Sequence, residues 1–413
     1  MINALPIKAL WRGVYMNILQ INNYGFIRGG SDRYFIDLSK LLVQQGHKVS
    51  YLTSANDKNI IDSLYAVKGF NVNSPFPWDI PGFVYSLDAK HKLRKLIEKE
   101  QPEIAHLHIY YGQITSSILP VLKKYNIPIV QTLHEYKLLC PVSTLIRHGQ
   151  VCEECAKGNY LKAIIHRCNR DSFTRTAAVV LEAYISKLFG SISSIDHFIA
   201  VSDFVRAKMI QYGIPSSKIT RVYNFVRDDL FFENNQKGDY FLYYGRIEII
   251  KGVRTLINAM KRLKDVELYI VGSGEALDEL KKYVALSGQD NIRFLGFKTG
   301  KELERIIDGS ICVVVPSEWN ETFGLTVIEA FARSKPVIVS DMGALPEIVT
   351  NSVDGFIFKS GDIEQLHDKL LWMAYHRNEA IEMGLMGYKK AINMFSSKRH
   401  YEEIMKIYKK LIK

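Results

Sequence analysis

The sequence predicts an α/β protein made of two Rossmann-like domains. The chain has 413 residues, more than one ordinary hydrophobic core accommodates, so two domains are expected. Hydrophobic residues make up 47% of the chain and charged residues 23%, as in soluble globular proteins. Apolar strand-like runs alternate with helical patterns throughout, and this alternation indicates parallel sheets covered by helices.

The strand-like runs fall into two sets separated by a polar break. The first set reads MNILQIN, HKVSYLT, IAHLHIY, IPIVQTLH and HFIAVS, and the second reads YFLYYGR, VELYIVG, IRFLG, ICVVVPS and PVIVSD. The break is NFVRDDLFFENNQKGD, residues 224–239. The sequence therefore predicts a first domain over residues 16–226 and a second over residues 227–395.

Two further segments flank these domains. Residues 1–15 precede the first strand-like run, and we expect them to form a peripheral extension. Residues 396–413 are predicted to form a helix, because apolar residues recur there at helical spacing. These residues are Tyr401, Ile404, Ile407, Tyr408 and Leu411.

Charge is unevenly distributed along the chain. The net charge is +11; residues 1–220 carry 26 lysines and arginines against 16 acidic residues, whereas the remainder carries 28 against 27. A basic first half suggests an anionic partner (a membrane surface, nucleic acid or a phosphorylated acceptor) or is simply a solvated basic surface. No stretch reaches the roughly 18 apolar residues that a membrane-spanning helix needs, and no secretory signal is evident. We therefore expect a cytoplasmic location.

The most informative motif follows the apolar run ICVVVP of the second half. The segment PSEWNETFGLTVIEAF places Glu321 in a polar loop, Gly324 at the start of a predicted helix and Glu329 about one turn into it. A strand, a turn and a helix N-terminus present backbone N–H groups to a bound phosphate. Two carboxylates accept hydrogen bonds from separate parts of a polyhydroxylated ligand, so the motif suggests a nucleotide sugar. The alternative is structural: Glu321 caps the helix and Glu329 lies on a solvated face.

Cations and glycines occur at two other predicted strand ends. Arg246 follows YFLYYG, and Lys251 and Gly252 come shortly afterwards, where a helical pattern begins. Two cations at the carboxyl end of a parallel strand suit a diphosphate. Gly272 in VGSGE is a candidate donor-binding residue, because glycine lets the backbone approach a ligand closely. Taken singly, each feature also fits a tight turn or a surface charge.

The series GR-x4-KG, VGSGE, FLGF and PSEWNETFGLTVIEA resembles the donor domain of the retaining glycosyltransferases of family 4, the glycosyl transferases group 1. The resemblance covers the chain from Met16 onward and favours the type that acts in bacterial surface-polysaccharide synthesis. It implies the GT-B fold, in which two Rossmann-like domains face each other across a cleft and a C-terminal helix crosses back to the first domain. It also implies a nucleotide-diphosphate sugar as donor.

The resemblance gives roles to the residues of the second half. Arg246 and Lys251 would contact the donor diphosphate. Glu329 would accept from the ribose hydroxyls, and Glu321 would hold a hydroxyl of the transferred sugar. Backbone groups would frame the base and bind the phosphates, and these belong to Gly296, Phe297, Phe323, Gly324 and Leu325.

The resemblance extends to two loops of the first half. Gly29 and Gly30 lie in the glycine-rich loop expected near the donor phosphates and the acceptor, although a plain strand–helix turn is the alternative for the second glycine. His134 in QTLHEYKLLCP would face the transferred sugar as a polar contact and not as a general base. Glu135 stands where aspartate is usual. The candidate catalytic residues are thus Glu321, His134, Arg246 and Lys251.

No cofactor is expected for catalysis. Preorganised cations and a helix N-terminus stabilise the charge that develops on a departing diphosphate. A metal ion could do the same, but the sequence shows no Asp-x-Asp motif to hold one. Transfer without a metal is therefore predicted.

Four of the five cysteines lie in a predicted insertion over residues 140–168. A CxxC pair flanked by two further cysteines could form a structural zinc site, although the spacing lacks a second close doublet. A reduced, metal-free cluster is the equal alternative, because disulfides are disfavoured in a reducing compartment. The cysteines concerned are Cys140, Cys152, Cys155 and Cys168.

Two regions of the first half combine basic and apolar residues. One is a predicted helix with Lys90, Lys92, Arg94, Lys95 and Lys99, and the other is KAIIHRCNRDSFTRTAAVVLEAYISKLFG. Such surfaces suit peripheral contact with the anionic inner leaflet of the cell membrane. The alternative is that their apolar faces pack on the domain's own sheet.

The predicted function is transfer of a sugar from a nucleotide-diphosphate sugar to a polysaccharide or lipid-diphosphate-linked saccharide, without a nucleic acid partner. A nucleotide-sugar 2-epimerase or a phosphorylase of the same fold is an alternative, against which the motif of Glu321 and Glu329 argues. A further alternative is a non-enzymatic basic module that binds membrane or nucleic acid. That alternative leaves the donor motif unexplained.

Overall fold

Two parallel six-stranded sheets form the framework of the protein. The computed structural model describes residues 15–61, 66–67 and 80–412. All but the last residue of the expected N-terminal extension thus lies outside the described part. Every strand-like run of the sequence forms a strand, as predicted.

The first sheet belongs to the N-terminal half. The strands of this half are β1 (Asn17–Ile21), β2 (Lys48–Leu52), β3 (Ile104–Leu107), β4 (Ile129–Leu133), β5 (Ile146–Arg147), β6 (Gln150–Val151), β7 (His197–Ala200) and β8 (Ile219–Arg221). Six of them form a parallel sheet in the order β2-β1-β3-β4-β7-β8, and β5 and β6 pair as a small antiparallel hairpin. The helices are α1 (Gly30–Gln44), α2 (Ile80–Val84), α3 (Leu87–Glu100), α4 (Leu119–Lys124), α5 (Leu161–Ile165), α6 (Phe173–Leu188) and α7 (Asp203–Gln211).

The second sheet repeats the plan. Its strands are β9 (Tyr240–Arg246), β10 (Glu267–Ser273), β11 (Ile292–Gly296), β12 (Ser310–Val315), β13 (Val337–Ser340) and β14 (Gly355–Phe358). They are parallel, in the order β11-β10-β9-β12-β13-β14. The order reverses between β9 and β12, and ligands of such sheets bind at this switch point, beyond the carboxyl ends of the strands. The helices are α8 (Val253–Ala259), α9 (Leu277–Ser287), α10 (Gly300–Asp308), α11 (Leu325–Ala332), α12 (Leu345–Ile348), α13 (Ile363–Tyr375) and α14 (Arg377–Met394).

The strands follow from continuous apolar runs. In a parallel sheet covered by helices, both faces of each strand are buried, so the alternation typical of half-exposed strands disappears. Every residue of β3, β4, β7, β12 and β13 is buried. The strands that the sequence did not predict, β5, β6, β8 and β14, have two to four residues each.

The C-terminal helix α15 (Ser397–Leu411) crosses back to the first domain, as the resemblance implied. Its Ile404 and Tyr408 are buried in one cluster with Ile18 of β1. The chain passes between the domains twice at neighbouring places, since Val226 forms a parallel bridge with Ser396. In the described part of the chain, every helix is too short or too polar to cross a membrane.

Candidate active site

The carboxyl ends of the two sheets meet at contacts between the domains. The hydroxyl of Thr322 donates to the carbonyl oxygen of His134 at 3.1 Å, and the hydroxyl of Tyr136 donates to the carbonyl oxygen of Asn320 at 3.0 Å. His134 and Tyr136 follow β4, whereas Asn320 and Thr322 flank Glu321 in the loop after β12. The structure thus brings His134 next to the loop that carries Glu321.

Glu321 and Lys251 form an ion pair at the switch point of the second sheet. Lys251 Nζ donates to Glu321 Oε1 at 2.7 Å, and Ser317 Oγ donates to the same oxygen at 2.5 Å. Their side chains are only 15% (Lys251) and 11% (Glu321) exposed. Burial opposes ionisation of Glu321, but the ammonium group and the hydroxyl outweigh it and hold the pKa of Glu321 below its usual range. Glu321 is therefore ionised at neutral pH.

Gly252 lets the turn that carries Lys251 lie against the end of β12. Its φ is +68°, and an added Cβ would lie 1.9 Å from the carbonyl oxygen of Pro316. Lys251 ends a short 3₁₀ turn, Ile249–Lys251, and Gly252 is the N-cap residue of α8. A side chain at Gly252 would therefore displace the segment that positions Lys251.

Gly343 supports Glu321 from the loop after β13, and sequence reasoning missed it. An added Cβ would lie 2.3 Å from the carbonyl oxygen of Glu321, and φ of Gly343 is +63°. The backbone N–H of Ala344 donates to that same oxygen at 2.9 Å. A glycine just after the strand PVIVSD was the available signal, because loops at the carboxyl edge of a parallel sheet lie close together.

The N-terminus of α11 lies at the same edge. Gly324 is its N-cap residue, with no side chain capping the helix. Glu321 therefore does not cap this helix, which removes the structural alternative for that residue. Phe323 is 2% exposed, and its ring lies 5.9 Å from the rings of Tyr223 and Phe395. This packing anchors the loop so that the first N–H groups of α11 point to the edge.

Glu329 pairs with Arg33 of the opposite domain. Arg33 NH1 donates to Glu329 Oε1 at 2.8 Å, and the Tyr244 hydroxyl donates to the other oxygen at 3.4 Å. The Glu329 side chain is only 14% exposed, so it does not lie on a solvated face. The Glu329 carboxylate raises the pKa of Arg33 above its usual value. The sequence signal for Arg33 was its place in the first turn after Gly29 and Gly30.

The glycine-rich loop touches α11 through its second glycine. An added Cβ at Gly30 would lie 2.9 Å from Leu325 Cδ1, whereas one at Gly29 would meet nothing within 4 Å. Gly30 thus faces α11, and the plain strand–helix turn stays an alternative for this glycine. Gly29 is the N-cap residue of α1 and borders open space.

The remaining predicted donor residues lie along the carboxyl edge of the second sheet. Arg246 ends β9, is 54% exposed and pairs with Glu248 at 2.7 Å. Gly272 of β10 is in register with Gly245 beside it. Gly296 ends β11, and Phe297 next to it is 67% exposed. These residues share an edge with the Lys251–Glu321 pair but lie on different strands.

His134 is a neutral ring in a buried polar layer. Its ring stacks on that of His108, with centroids 5.4 Å apart, and Nε2 lies 3.2 Å from Nδ1 of His108. Burial lowers the pKa of His134 to about 3. At neutral pH the ring is therefore a neutral imidazole and not an imidazolium acid. A crevice of about 200 Å³ borders His134, Glu135 and Lys137. Burial also raises the pKa of Glu135, with Lys137 opposing it.

The cysteine-bearing insertion holds free thiols. Burial, together with the neighbouring Cys140 and Cys168 sulfurs, raises the pKa of Cys155 to about 12. The four cysteines therefore lie near one another, but among residues 15–61, 66–67 and 80–412 no group of three or more His, Cys, Asp or Glu side chains is arranged to hold a metal ion. The zinc alternative for Cys140, Cys152, Cys155 and Cys168 finds no support in this arrangement.

Two family models match the chain. The one described as Glycosyltransferase Family 4 matches residues 28–230. The one described as Glycosyl transferases group 1 matches residues 226–390. Together they cover every strand of the two six-stranded sheets except β1, and every residue of the predicted donor site.

Individual proteins show the same likeness. An uncharacterized glycosyltransferase of Methanocaldococcus jannaschii is 25% identical over 341 residues, which cover 82% of this chain and 84% of that protein. The O-antigen chain mannosyltransferase RfbU of Salmonella typhimurium is 30% identical over 179 residues, which cover 42% of this chain and 50% of RfbU. The crystal structure of Anabaena HepE in complex with UDP and glucose superposes with a TM-score of 0.65 at 18% identity, covering 95% of this chain and 99% of that one.

The structural likeness establishes the fold, and the family models establish the relationship. Both sheets, their facing carboxyl edges and the returning helix α15 agree with that result. The chain belongs to glycosyltransferase family 4, the glycosyl transferases group 1, and has the GT-B fold.

Proposed function

We propose that the protein is a retaining glycosyltransferase that moves a sugar from a nucleotide-diphosphate sugar to a saccharide acceptor in surface-polysaccharide synthesis. The observation that carries this proposal is the buried Lys251–Glu321 pair at the switch point of the second sheet. A cation and a hydrogen-bond acceptor stand there side by side, next to a helix N-terminus. Phosphate and sugar of one donor can thus be bound at one place.

The charges of the site suit departure of a diphosphate. Breaking the bond between sugar and phosphate leaves negative charge on the nucleoside diphosphate. Lys251, Arg246 and the N-terminus of α11 are fixed before the reaction and stabilise that charge as it develops. No catalytic metal is then required, and we propose that transfer proceeds without one.

Glu321 and Glu329 bind different parts of the donor in this proposal. Glu321 is ionised and keeps an oxygen available for a hydroxyl of the transferred sugar. Glu329 accepts from the ribose hydroxyls, for which Arg33 must leave it. Neither carboxylate is an acid or a base of the reaction.

Retention follows if the acceptor hydroxyl attacks from the face that the diphosphate leaves. A phosphate oxygen of the leaving group then takes the acceptor's proton. His134 is neutral and acts as a polar contact to the sugar. The configuration of the new bond is measurable and tests this part of the proposal directly.

The relatives support the proposed acceptor class. RfbU is named an O-antigen chain mannosyltransferase, and another relative, 22% identical over 354 residues, is an uncharacterized protein of the cps region of Klebsiella pneumoniae. We therefore propose a growing polysaccharide or its lipid-diphosphate-linked precursor as acceptor.

A screen of nucleotide sugars tests the function. The purified protein is incubated with UDP-, GDP-, dTDP- and ADP-sugars, and release of nucleoside diphosphate is measured with and without EDTA. We expect turnover with one donor, unaffected by EDTA, and an anomeric configuration retained in the product by NMR. Glu321→Gln and Lys251→Met should lower the rate at least a hundredfold. The control Lys298→Met, which removes a partly exposed lysine paired with the exposed Glu302, should not.

A surface of the first domain suits contact with an anionic membrane. Helices α5 and α6 lie side by side and expose apolar side chains: Leu161, Ile165, Phe173, Leu181 and Leu188. Exposed basic residues accompany them: Lys157, Arg167, Arg170, Arg175 and Lys187. Apolar side chains among cations favour anionic lipid surfaces.

The first basic region of the sequence differs from this surface. Its helix is α3, whose Leu93, Leu96 and Ile97 are buried in the core of the first domain. The alternative that this apolar face packs on the domain itself is therefore correct for α3, whose Arg94, Lys95 and Lys99 are exposed.

Vesicle sedimentation tests the membrane proposal. We expect binding to vesicles that contain phosphatidylglycerol and weak binding to pure phosphatidylcholine. The pair of substitutions Ile165→Ser and Leu188→Ser should reduce binding, whereas Leu286→Ser should not, although Leu286 is 89% exposed in the second domain. Equal binding of both variants would contradict the assignment of this surface.

A further inference from the structure

A continuous chain of hydrogen bonds runs through the C-terminal helix to His134. It begins at Thr132 and passes through side chains that are at most 1% exposed before it reaches His134. One member, Tyr408, belongs to α15. In spatial order the members are Thr132, His106, Tyr408, Gln20, His108 and His134.

All three imidazoles of this chain are neutral at neutral pH. Burial lowers the pKa of His134 to about 3. Burial also lowers the pKa of His106 and His108 well below the usual value. Each ring therefore has one N–H donor and one lone pair, and the donor on one nitrogen determines the role of the other.

The amide of Gln20 fixes the direction of the chain. Its oxygen only accepts, so His108 donates to it from Nε2–H at 2.6 Å. The NH₂ group of the same amide donates to the hydroxyl oxygen of Tyr408 at 3.5 Å.

The hydrogen bonds on both sides follow from this amide. The Tyr408 hydroxyl donates to Nδ1 of His106 at 2.6 Å, and Nε2–H of His106 donates to the Thr132 hydroxyl oxygen at 2.7 Å. His108 Nδ1 carries a lone pair and accepts from Nε2–H of His134 at 3.2 Å.

One atom of His134 remains available at the end of the chain. With its proton on Nε2, the ring carries a lone pair on Nδ1. No hydrogen bond within the described residues uses that nitrogen, and the ring borders the crevice of about 200 Å³ beside Glu135 and Lys137. A nitrogen lone pair at a crevice needs a donor, and a sugar hydroxyl is one.

We infer that this chain holds His134 as the Nε2–H tautomer and that its Nδ1 accepts a hydrogen bond from a hydroxyl of the transferred sugar. Gln20, His108 and Tyr408 act through His134 and are positioning residues. The identity of the bound group rests on the proposed function, whereas the tautomer does not.

Through this chain of hydrogen bonds, the C-terminal helix α15 has a role at the site. Tyr408 is 274 positions beyond His134 in the sequence and packs on the far side of the histidine layer. Its hydroxyl orients the Gln20 amide, which orients His108. The position of α15 therefore helps to determine whether Nδ1 of His134 accepts a hydrogen bond or donates one.

The tautomer is measured first, on the full protein without substrate. Long-range ¹H–¹⁵N correlation spectra of protein labelled with ¹⁵N-histidine distinguish protonated from unprotonated ring nitrogens, and His134→Asn assigns the signals. We expect Nε2 protonated and Nδ1 unprotonated in His134 at pH 7. A His134 protonated on Nδ1 overturns the inference, and this measurement requires no variant of the chain of hydrogen bonds.

Variants then test the positioning residues. Tyr408→Phe removes the hydroxyl that orients Gln20, and Gln20→Met breaks the chain without a change in α15. In each we expect a second His134 tautomer to appear. Tyr401→Phe is the matched control, because Tyr401 also lies on α15 and bonds a histidine, His47, at 2.8 Å, outside the chain. A single unchanged tautomer in both test variants overturns the positioning role.

Deoxy analogues of the donor test the contact with the sugar. With the donor identified by the nucleotide-sugar screen, removal of the contacted hydroxyl should lower kcat/KM of the wild type about 2- to 12-fold, the range of one neutral hydrogen bond. In His134→Ala the same analogue should cause no further loss. If every deoxy analogue lowers kcat/KM by the same factor in the wild type and in His134→Ala, the contact is excluded. If no nucleotide sugar turns over, the proposed function fails while the tautomer remains decided by NMR.

Discussion

Replacement of Lys251 by methionine should destabilise the protein in a pH-dependent manner. The substitution keeps the length of the side chain but removes its charge. Of the two donors to Glu321 Oε1, Lys251 Nζ and the Ser317 hydroxyl, only the hydroxyl then remains. Both side chains of the pair are at least 85% buried. Removing one partner of such a pair costs about 3–5 kcal/mol, because the remaining charge is buried without compensation.

The sign of the pH dependence follows from Glu321. In the wild type its pKa is held below the unfolded value, so its ionisation stabilises the fold above the unfolded pKa, and this stability is lost as the pH falls through the folded pKa. In Lys251→Met, the ammonium group no longer opposes burial, and we expect burial to outweigh the Ser317 hydrogen bond and to raise the pKa of Glu321 above the unfolded value of about 4.3. The variant then loses stability as the pH rises from that value toward neutrality. The difference between the two proteins should widen between pH 5 and pH 8.

Urea unfolding at pH 5 and pH 8 measures this difference. With an m-value of roughly 3 kcal/mol/M, a cost of about 3–5 kcal/mol lowers the midpoint by about 1–1.7 M at pH 8, and the shift should be smaller at pH 5. The control Lys298→Met should shift the midpoint by no more than about 0.3 M, because exposed pairs contribute at most about 1 kcal/mol. The double variant Lys251→Met/Glu321→Gln should regain part of the loss. Equal midpoint shifts at both pH values would refute the reasoning.

Three further predictions concern other parts of the site. Gly252→Ala should lower the free energy of unfolding by at least about 1 kcal/mol more than Gly288→Ala. Both glycines have positive φ, but only at Gly252 would the new Cβ lie 1.9 Å from a carbonyl oxygen, that of Pro316. Equal losses of stability in thermal unfolding would contradict this. Arg33→Ala and Glu329→Gln should show a coupling free energy of about 1–2 kcal/mol in a double-mutant cycle, because they form one partly buried pair; additive effects would argue against the contact. Cys155, with its pKa raised to about 12, should react with iodoacetamide at pH 8 roughly a hundredfold more slowly than in urea-unfolded protein, and comparable rates in mass spectrometry would count against its burial.

The sequence predicted the framework of the fold because the relevant signal is local. Parallel strands buried on both faces require runs of apolar residues, and these runs can be recognised in the sequence without any knowledge of their partner strands. The strands β8 and β14 escaped notice; both are short, and β8 (ITR) contains a single apolar residue. The donor motif could be recognised for a similar reason, since Glu321, Gly324 and Glu329 lie in one strand–loop–helix segment.

The partners of these residues were decided by the tertiary structure. Lys251 and Glu321 are 70 residues apart, Arg33 and Glu329 are 296 apart, and His106 and Tyr408 are 302 apart. The first pair was expected at one site because strands of a parallel sheet end at a common edge. The second crosses between domains, and no spacing in the sequence encodes it.

The sequence by itself thus determined two Rossmann-like domains and the residue types of a donor site. Only the tertiary structure decided which charges neutralise each other, that Gly343 supports Glu321, and that α15 reaches the histidine layer beneath His134. The physical reason is that strand formation and helix N-termini depend on neighbours along the chain. Ion pairs and hydrogen-bond directions depend on neighbours in space.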